Sequence, residues 1–399
     1  MRTLVVFILV AALSILASNQ KLLQAGRFFN LAQLAASGLM FLVFGAILGP
    51  GLLRLLHPED LTNARPMLAL GLGMSGMLLG MGLEPQLLRS LPAKVWGAAA
   101  LQSGAAGIAV TIPMAGVFLF ALHLGPAAAL GAAALLGGVA SVSSPHMAIL
   151  WHRSGRLERA RGISVALLAM LDDLTGVSAF ALALVLASGG SVAIGAGLVA
   201  IAILLGGVSG ALTAYLIHGT RDRGELVAVL IGSVALISGV AAFLNVSALI
   251  TGLSAGLTLA VVGGPQVAQA WRTLSRIERP VYLVLLFLMG AHFDPDVWQA
   301  WLVAPVFIAL RFLGKVVGGR AASRTAAELL PLPPDLGFAL LAQGGVALCL
   351  LVEFLNLIGS SVAQVTFNVG VIGVLVNEVL AARVFRRALH PAPVVEVGR

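Results

Sequence analysis

The chain has a single cysteine, Cys349, and little charge: only 10% of its 399 residues are Asp, Glu, Lys or Arg. One thiol excludes a disulfide framework and any cysteine-based metal site. So low a charge content, with 59% hydrophobic residues and a mean hydropathy of +1.04, excludes an ordinary soluble domain. The formal net charge of +8 is compatible with nucleic-acid binding, but the basic residues are scattered over short loops. That is the pattern of topogenic charge beside a membrane, and no nucleic-acid partner is expected. Apolar windows of about 20 residues recur from end to end, the signature of an all-α polytopic membrane protein. The first, Leu4 to Ala17, is followed by Ser18-Asn19-Gln20, a poor cleavage site, and is preceded by one arginine. It reads as a membrane helix rather than a signal peptide.

Gly, Pro and charge punctuation divides the chain into about thirteen spans, near 3–17, 30–50, 65–83, 93–122, 126–151, 161–187, 191–217, 225–243, 247–263, 280–293, 298–319, 336–357 and 362–387. Of the 24 basic residues, 19 fall in loops after odd-numbered spans or in the C-terminal tail, and only Arg2, Arg54 and Arg65 on the other side. This asymmetry predicts a cytoplasmic C-terminus and an outside N-terminus, with no soluble domain at either end. The remaining two, Arg311 and Lys315, lie inside a span.

Asp172 and Asp173 stand side by side in the run from Ile163 to Ala187, which holds no other ionisable side chain. A charge at mid-membrane costs about 3 kcal/mol or more, so an intramembrane acid points to function. Helical rise places Ser144 ~12 Å, the Asp pair ~16 Å and Arg311 ~13 Å from the cytoplasmic ends of their spans. Gln343-Gly344-Gly345 falls at a similar level. Four segments distant in sequence therefore put their unusual residues at one depth. Ser141, Ser143, Ser144 and Pro145 interrupt span five, where proline removes a backbone donor and frees carbonyls. Gln343-Gly344-Gly345 is expected to break span twelve in the same way. Broken helices in corresponding positions of two halves point to a transporter's binding site. Spans 4–6 and 11–13 would be the related triplets, although no residue-level repeat is visible. Arg311 and Lys315 are the candidate counter-ions of the site, although Lys315, one turn nearer the cytoplasm, is expected to snorkel toward the interface. His146 is either a satisfied polar residue or a pH-sensitive one. The serines could also bond back to helix carbonyls. Glu353 and Glu378 read as interfacial.

These motifs resemble a known family. Met170-Leu171-Asp172-Asp173-Leu174-Thr175-Gly176 is similar to the Asp-Asp signature of bacterial sodium/proton antiporters in the monovalent cation/proton antiporter superfamily. Arg311-Phe312-Leu313-Gly314 resembles the family's basic-x-Leu-Gly element, and Leu341-Ala342-Gln343-Gly344-Gly345 the Ala-Gln-Gly-Gly turn of its Kef-type branch. Gly252-Leu253-Ser254-Ala255-Gly256 and Phe287-Leu288-Met289-Gly290-Ala291-His292-Phe293-Asp294 are similar more weakly. The resemblance covers roughly residues 30–385. It implies about thirteen helices with inverted repeats and two crossing discontinuous helices. Core helices would lie at about 93–187 and 298–387, and dimerisation helices at about 3–83 and 191–293. It also implies a homodimer in the bacterial inner membrane, acting in pH homeostasis, with no cofactor and no enzyme activity.

By motif, Asp173 would be the main carboxylate for ion and proton, with Asp172 paired to the basic residue of span eleven. Ser143 and Ser144 would lie in the unwound part of span five. Arg311 stands where many electrogenic members have lysine, and arginine is no proton carrier. The stoichiometry is therefore open. Kef-type potassium systems carry a nucleotide-binding domain that this sequence lacks, so a free-standing antiporter is expected.

The chemistry fits without the family. Two close carboxylates in a low-dielectric site cannot both be charged cheaply. Dehydrated Na⁺ needs hard oxygens: a carboxylate, hydroxyls, unwound carbonyls or water. Competition of cation and proton for one carboxylate would couple Na⁺ (or Li⁺) to H⁺ by alternating access. K⁺/H⁺ exchange on the same scaffold stays open. A sodium-coupled organic-anion symporter would want fewer charges. An aspartyl protease needs converging carboxylates, whereas adjacent helical residues point ~100° apart.

Overall fold

The computed structural model describes residue 14 and residues 38–145, 149, 158–188, 191–220 and 222–388. Apart from residue 14, the expected span at 3–17 lies outside the described residues, as do His146 and the start of the span at 30–50.

With no water in a bilayer to satisfy backbone groups, apolar segments must form helices, and no strand occurs among the described residues. The chain runs through α1 (Leu39–Leu48), α2 (Pro58–Asn63), α3 (Arg65–Gly82), α4 (Pro85–Ser90) and α5 (Ala93–Gly116), which continues as a π-helical turn at Val117–Ala121. Then follow α6 (Pro126–Ser141), α7 (Arg159–Ala187), α8 (Val192–His218), α9 (Arg223–Phe243), α10 (Ala248–Val262) and α11 (Gln266–Ala291). The last elements are α12 (Trp298–Thr325), α13 (Leu336–Ala339), α14 (Gly345–Ile358) and α15 (Ser361–Ala388). Local signals set several starts: Asp222 accepts from the Glu225 N–H at α9, Ser247 accepts from the Ile250 N–H at α10, and Pro126 opens α6.

Among the described residues, six helices are long and apolar enough to cross a membrane: Ala93–Ala121, Arg159–Ala187, Val192–His218, Arg223–Phe243, Trp298–Thr325 and Ser361–Ala381. The protein is an all-α polytopic membrane protein. Three boundaries differ from the sequence reading. The span expected at 126–151 stops being helical at Ser141, and that expected at 336–357 splits into α13 and α14 around Leu340–Gly344. The span expected at 280–293 begins at Gln266, because Pro280 sits inside the helix instead of ending it.

Two groups of helices pack mainly within themselves. One is α5, α6, α7 and α12 to α15; the other is α1, α3 and α8 to α11. They meet where α7 touches α8 and where α14 reaches α3, α10 and α11. The second group depends on small residues at its centre. A side chain on Gly252 of α10 would overlap the backbone of Gly73 in α3, and one on Gly76 would overlap the Leu249 carbonyl. Backbone contact of this kind is how helices associate without a hydrophobic driving force between them. Replacing Gly252 by valine should therefore cost about 1–3 kcal/mol by overpacking. A lowered unfolding midpoint of the detergent-solubilised variant is the expected result; an unchanged midpoint would contradict the contact.

Candidate functional site

Two interruptions meet at the centre of the first helix group. The backbone leaves the helical state after Ser141, and Val142–Ser144 run extended to the turn at Pro145. The residue before a proline is sterically excluded from the α region, which accounts for Ser144. From the other side of the site, Leu340–Gly344 is unwound between α13 and α14. The two unwound segments touch directly: the Ser144 N–H donates to the Ala342 carbonyl at 2.8 Å. Gln343 donates through Nε2 to the Val139 carbonyl at 2.7 Å and accepts from Asn377 Nδ2 at 2.9 Å, tying the crossing to α6 and α15. Gly344 lies against Ser144, and Gly345 against the Tyr282 ring, where a side chain would not fit.

Unwound backbone leaves orphan carbonyls, and two buried cations satisfy them. Arg311, on α12, donates through Nη1 to Leu341 O at 2.8 Å and through Nη2 to Val142 O at 3.1 Å. It thus clamps both broken segments. Lys315, one turn later, donates to Ser141 O at 2.6 Å and Ser143 Oγ at 2.6 Å, with Gln102 Oε1 and Asp172 Oδ2 each at 3.2 Å. Both side chains have 0% exposure. Cations at the C-terminal end of α6 are also favoured by the helix dipole.

This geometry corrects two expectations. Lys315 does not snorkel to an interface but sits at the heart of the site. Arg311 is not the partner of the Asp pair: it makes no ion pair among the described residues, and Lys315 forms the 3.2 Å bridge to Asp172. Residues four apart share a face but lie one turn apart along the axis, and only the later one is level with Asp172.

The two aspartates occupy different surroundings, as adjacent helical positions must. Asp172 Oδ2 accepts from Ser143 Oγ at 2.7 Å and Gln102 Nε2 at 2.8 Å in addition to Lys315. Asp173 points instead into a cavity of about 480 Å³, lined among others by Ser143, Ser144, Gln343, Tyr282 and Glu378. Its Oδ1 is buried and accepts no hydrogen bond. Ser141, in contrast to Ser143, bonds back to Gly138 O at 2.8 Å. A second cavity, of about 440 Å³ and lined by Leu184, Leu198, Val246 and Phe354, does not include Asp173.

The sequence reading missed Gln102, although an amide in the middle of an apolar span was a visible signal. It also took Glu353 and Glu378 as interfacial, whereas both are buried. Glu353 caps α10, both its oxygens accepting from the Leu249 N–H at 3.1 and 3.3 Å. Glu378 lines the cavity with Asp173.

A polytopic helical membrane protein with two crossed broken helices and charged groups buried at the crossing has the construction of a secondary ion transporter. The chain belongs to the transmembrane sodium/hydrogen exchanger family, whose model matches residues 6–385. Its fold is similar to that of the sodium proton antiporter MjNhaP1 from Methanocaldococcus jannaschii at pH 8, with a TM-score of 0.65 and 15% identity over 98% of this chain and 99% of that one. A second structure of MjNhaP1, from an electron-microscopy map, gives a TM-score of 0.53 at 15% identity, covering 88% of each chain. At that identity the likeness is one of fold. No curated protein matches the chain. Family and architecture make it a multi-pass membrane transporter of the cation/proton antiport class.

The buried pair sets a test. Removing one partner of a buried ion pair costs about 3–5 kcal/mol, because the other charge is left uncompensated. Lys315→Met should lower the unfolding midpoint sharply, and adding Asp172→Asn should recover much of the loss. Additive losses in that cycle would show that the two side chains are not coupled.

Proposed function

We propose that the protein exchanges Na⁺ (or Li⁺) for protons, with cation and proton competing for Asp173. The observation that carries this reading is Asp173 lining the cavity with no ion pair or hydrogen-bond partner for its Oδ1, beside an Asp172 that lies off the cavity with its Oδ2 engaged by Lys315, Ser143 and Gln102. A dehydrated monovalent cation could take Asp173, the Ser143 and Ser144 hydroxyls, and water as oxygen ligands. Lys315, beside Asp172, adds a second protonatable group that Arg311 could not supply. A cation drawing Asp172 away from Lys315 would free one proton there and one from Asp173, giving electrogenic exchange.

The helices at about 93–187 and 298–387 would move as the ion-carrying unit against those at about 3–83 and 191–293, which would also pair two copies into a homodimer. The thin contacts of α14 with α3, α10 and α11 support that division. The distribution of basic residues supports a cytoplasmic C-terminus in a bacterial inner membrane, with the Asp173 cavity open inward.

Proteoliposomes with an imposed pH gradient test the proposal. Collapse of the gradient on addition of Na⁺ or Li⁺, faster under a favourable membrane voltage and lost in Asp173→Asn, is the expected outcome. Collapse by K⁺ alone would reassign the cation. Normal Na⁺ exchange by Asp173→Asn would overturn the assignment of the carboxylate.

A further inference from the structure

The cavity that holds Asp173 holds another acid. Glu378, on α15, lines the same wall and is only 4% exposed. Its Oε2 is buried and accepts no hydrogen bond. The Gln343 backbone N–H faces the same carboxylate from the unwound segment. The nearest buried cation of the crossing, Arg311, gives its Nη1 and Nη2 to the Leu341 and Val142 carbonyls and makes no ion pair with Glu378 among the described residues. Glu378 thus lines the cavity while one of its buried carboxylate oxygens is left without a hydrogen-bond donor among the described residues. Carboxylates are expensive to bury without a full set of donors, so an unsatisfied carboxylate beside a cavity marks a place for a cation.

Position supports the same conclusion. Glu378 lies about ten residues before the end of α15 at Ala388, ~15 Å along the helix, whereas Asp173 lies about fourteen residues beyond the start of α7 at Arg159, ~21 Å. If both helix ends mark the basic side of the protein, Glu378 is the shallower of the two acids. The cavity volume of about 480 Å³ leaves room for an ion with several waters, each needing about 30 Å³. Tyr282 stands on the facing wall, on α11 of the other helix group.

We infer that Glu378 is a second cation-docking carboxylate, occupied by a partly hydrated monovalent cation before it reaches Asp173. This rests on the antiport reading above. It assigns Glu378 to gathering the ion and Asp173 to exchanging it for protons.

The test is the Na⁺ dependence of exchange in proteoliposomes for the unaltered protein, Glu378→Gln and Glu378→Asp, assayed from the side to which the cavity opens. Glu378→Gln should raise the apparent KM for Na⁺ roughly tenfold, the scale of one nearby unit charge in a partly hydrated cavity, with the maximal rate retained. Glu378→Asp should stay near the unaltered KM. Raising ionic strength with choline chloride should weaken the unaltered protein's apparent affinity and affect the Gln variant less. An unchanged KM in a well-folded Glu378→Gln would overturn the inference, as would a lost maximal rate at unchanged KM. Failure of both variants to fold would make Glu378 a structural residue and overturn it equally. Absence of any cation-driven exchange by the unaltered protein is a distinct result, and it would remove the antiport reading itself.

Discussion

The satisfaction of backbone carbonyls where two broken helices cross is the constraint on which the site depends. Inside a bilayer, an unpaired carbonyl costs several kcal/mol, and no water is at hand to relieve it. This protein meets the requirement with two cationic side chains from one helix. Arg311 takes a carbonyl from each unwound segment, and Lys315 takes the last carbonyl of α6. Two positive charges are thereby fixed at the crossing, and they in turn make it possible to bury Asp172. The remaining acid, Asp173, has no such compensation from the protein.

Function follows from that asymmetry. Two aspartates adjacent in sequence diverge because helical neighbours point ~100° apart. One is engaged through its Oδ2 by Lys315, Ser143 and Gln102, although its Oδ1 has no hydrogen-bond partner among the described residues. The other opens onto a cavity. A mobile positive species, proton or metal cation, is the natural complement of the second. The glycine contacts between α3 and α10 stiffen the helix group against which such a site could shift, and the contacts between the two groups are few.

Much of this was legible in the sequence. The apolar runs, the buried Asp pair, the break at Pro145 and the Gln343-Gly344-Gly345 turn all follow from single-residue chemistry in a membrane. Pairing was not legible, because which of Arg311 and Lys315 meets Asp172 depends on how far α12 is shifted along its axis against α7, which spacing does not reveal. Lys315 was misplaced by a rule for snorkelling side chains that applies near helix ends, and here the crossing supplies polar partners at depth. Gln102 escaped notice because an isolated amide in an apolar span has many structural uses. Glu378 was assigned to an interface by its distance from the helix end, whereas packing buries it beside the cavity that Asp173 lines.

The most direct test of the central claim is the apparent KM for Na⁺ measured across a series of pH values in proteoliposomes, under a fixed voltage and with pH equal on both sides. Competition for Asp173 requires that KM rise at least in proportion to proton concentration on the acid side, while the maximal rate at saturating Na⁺ stays constant. A maximal rate that falls with acidity while KM stays constant would mean that proton and cation occupy separate sites, and the account of coupling through Asp173 would be wrong.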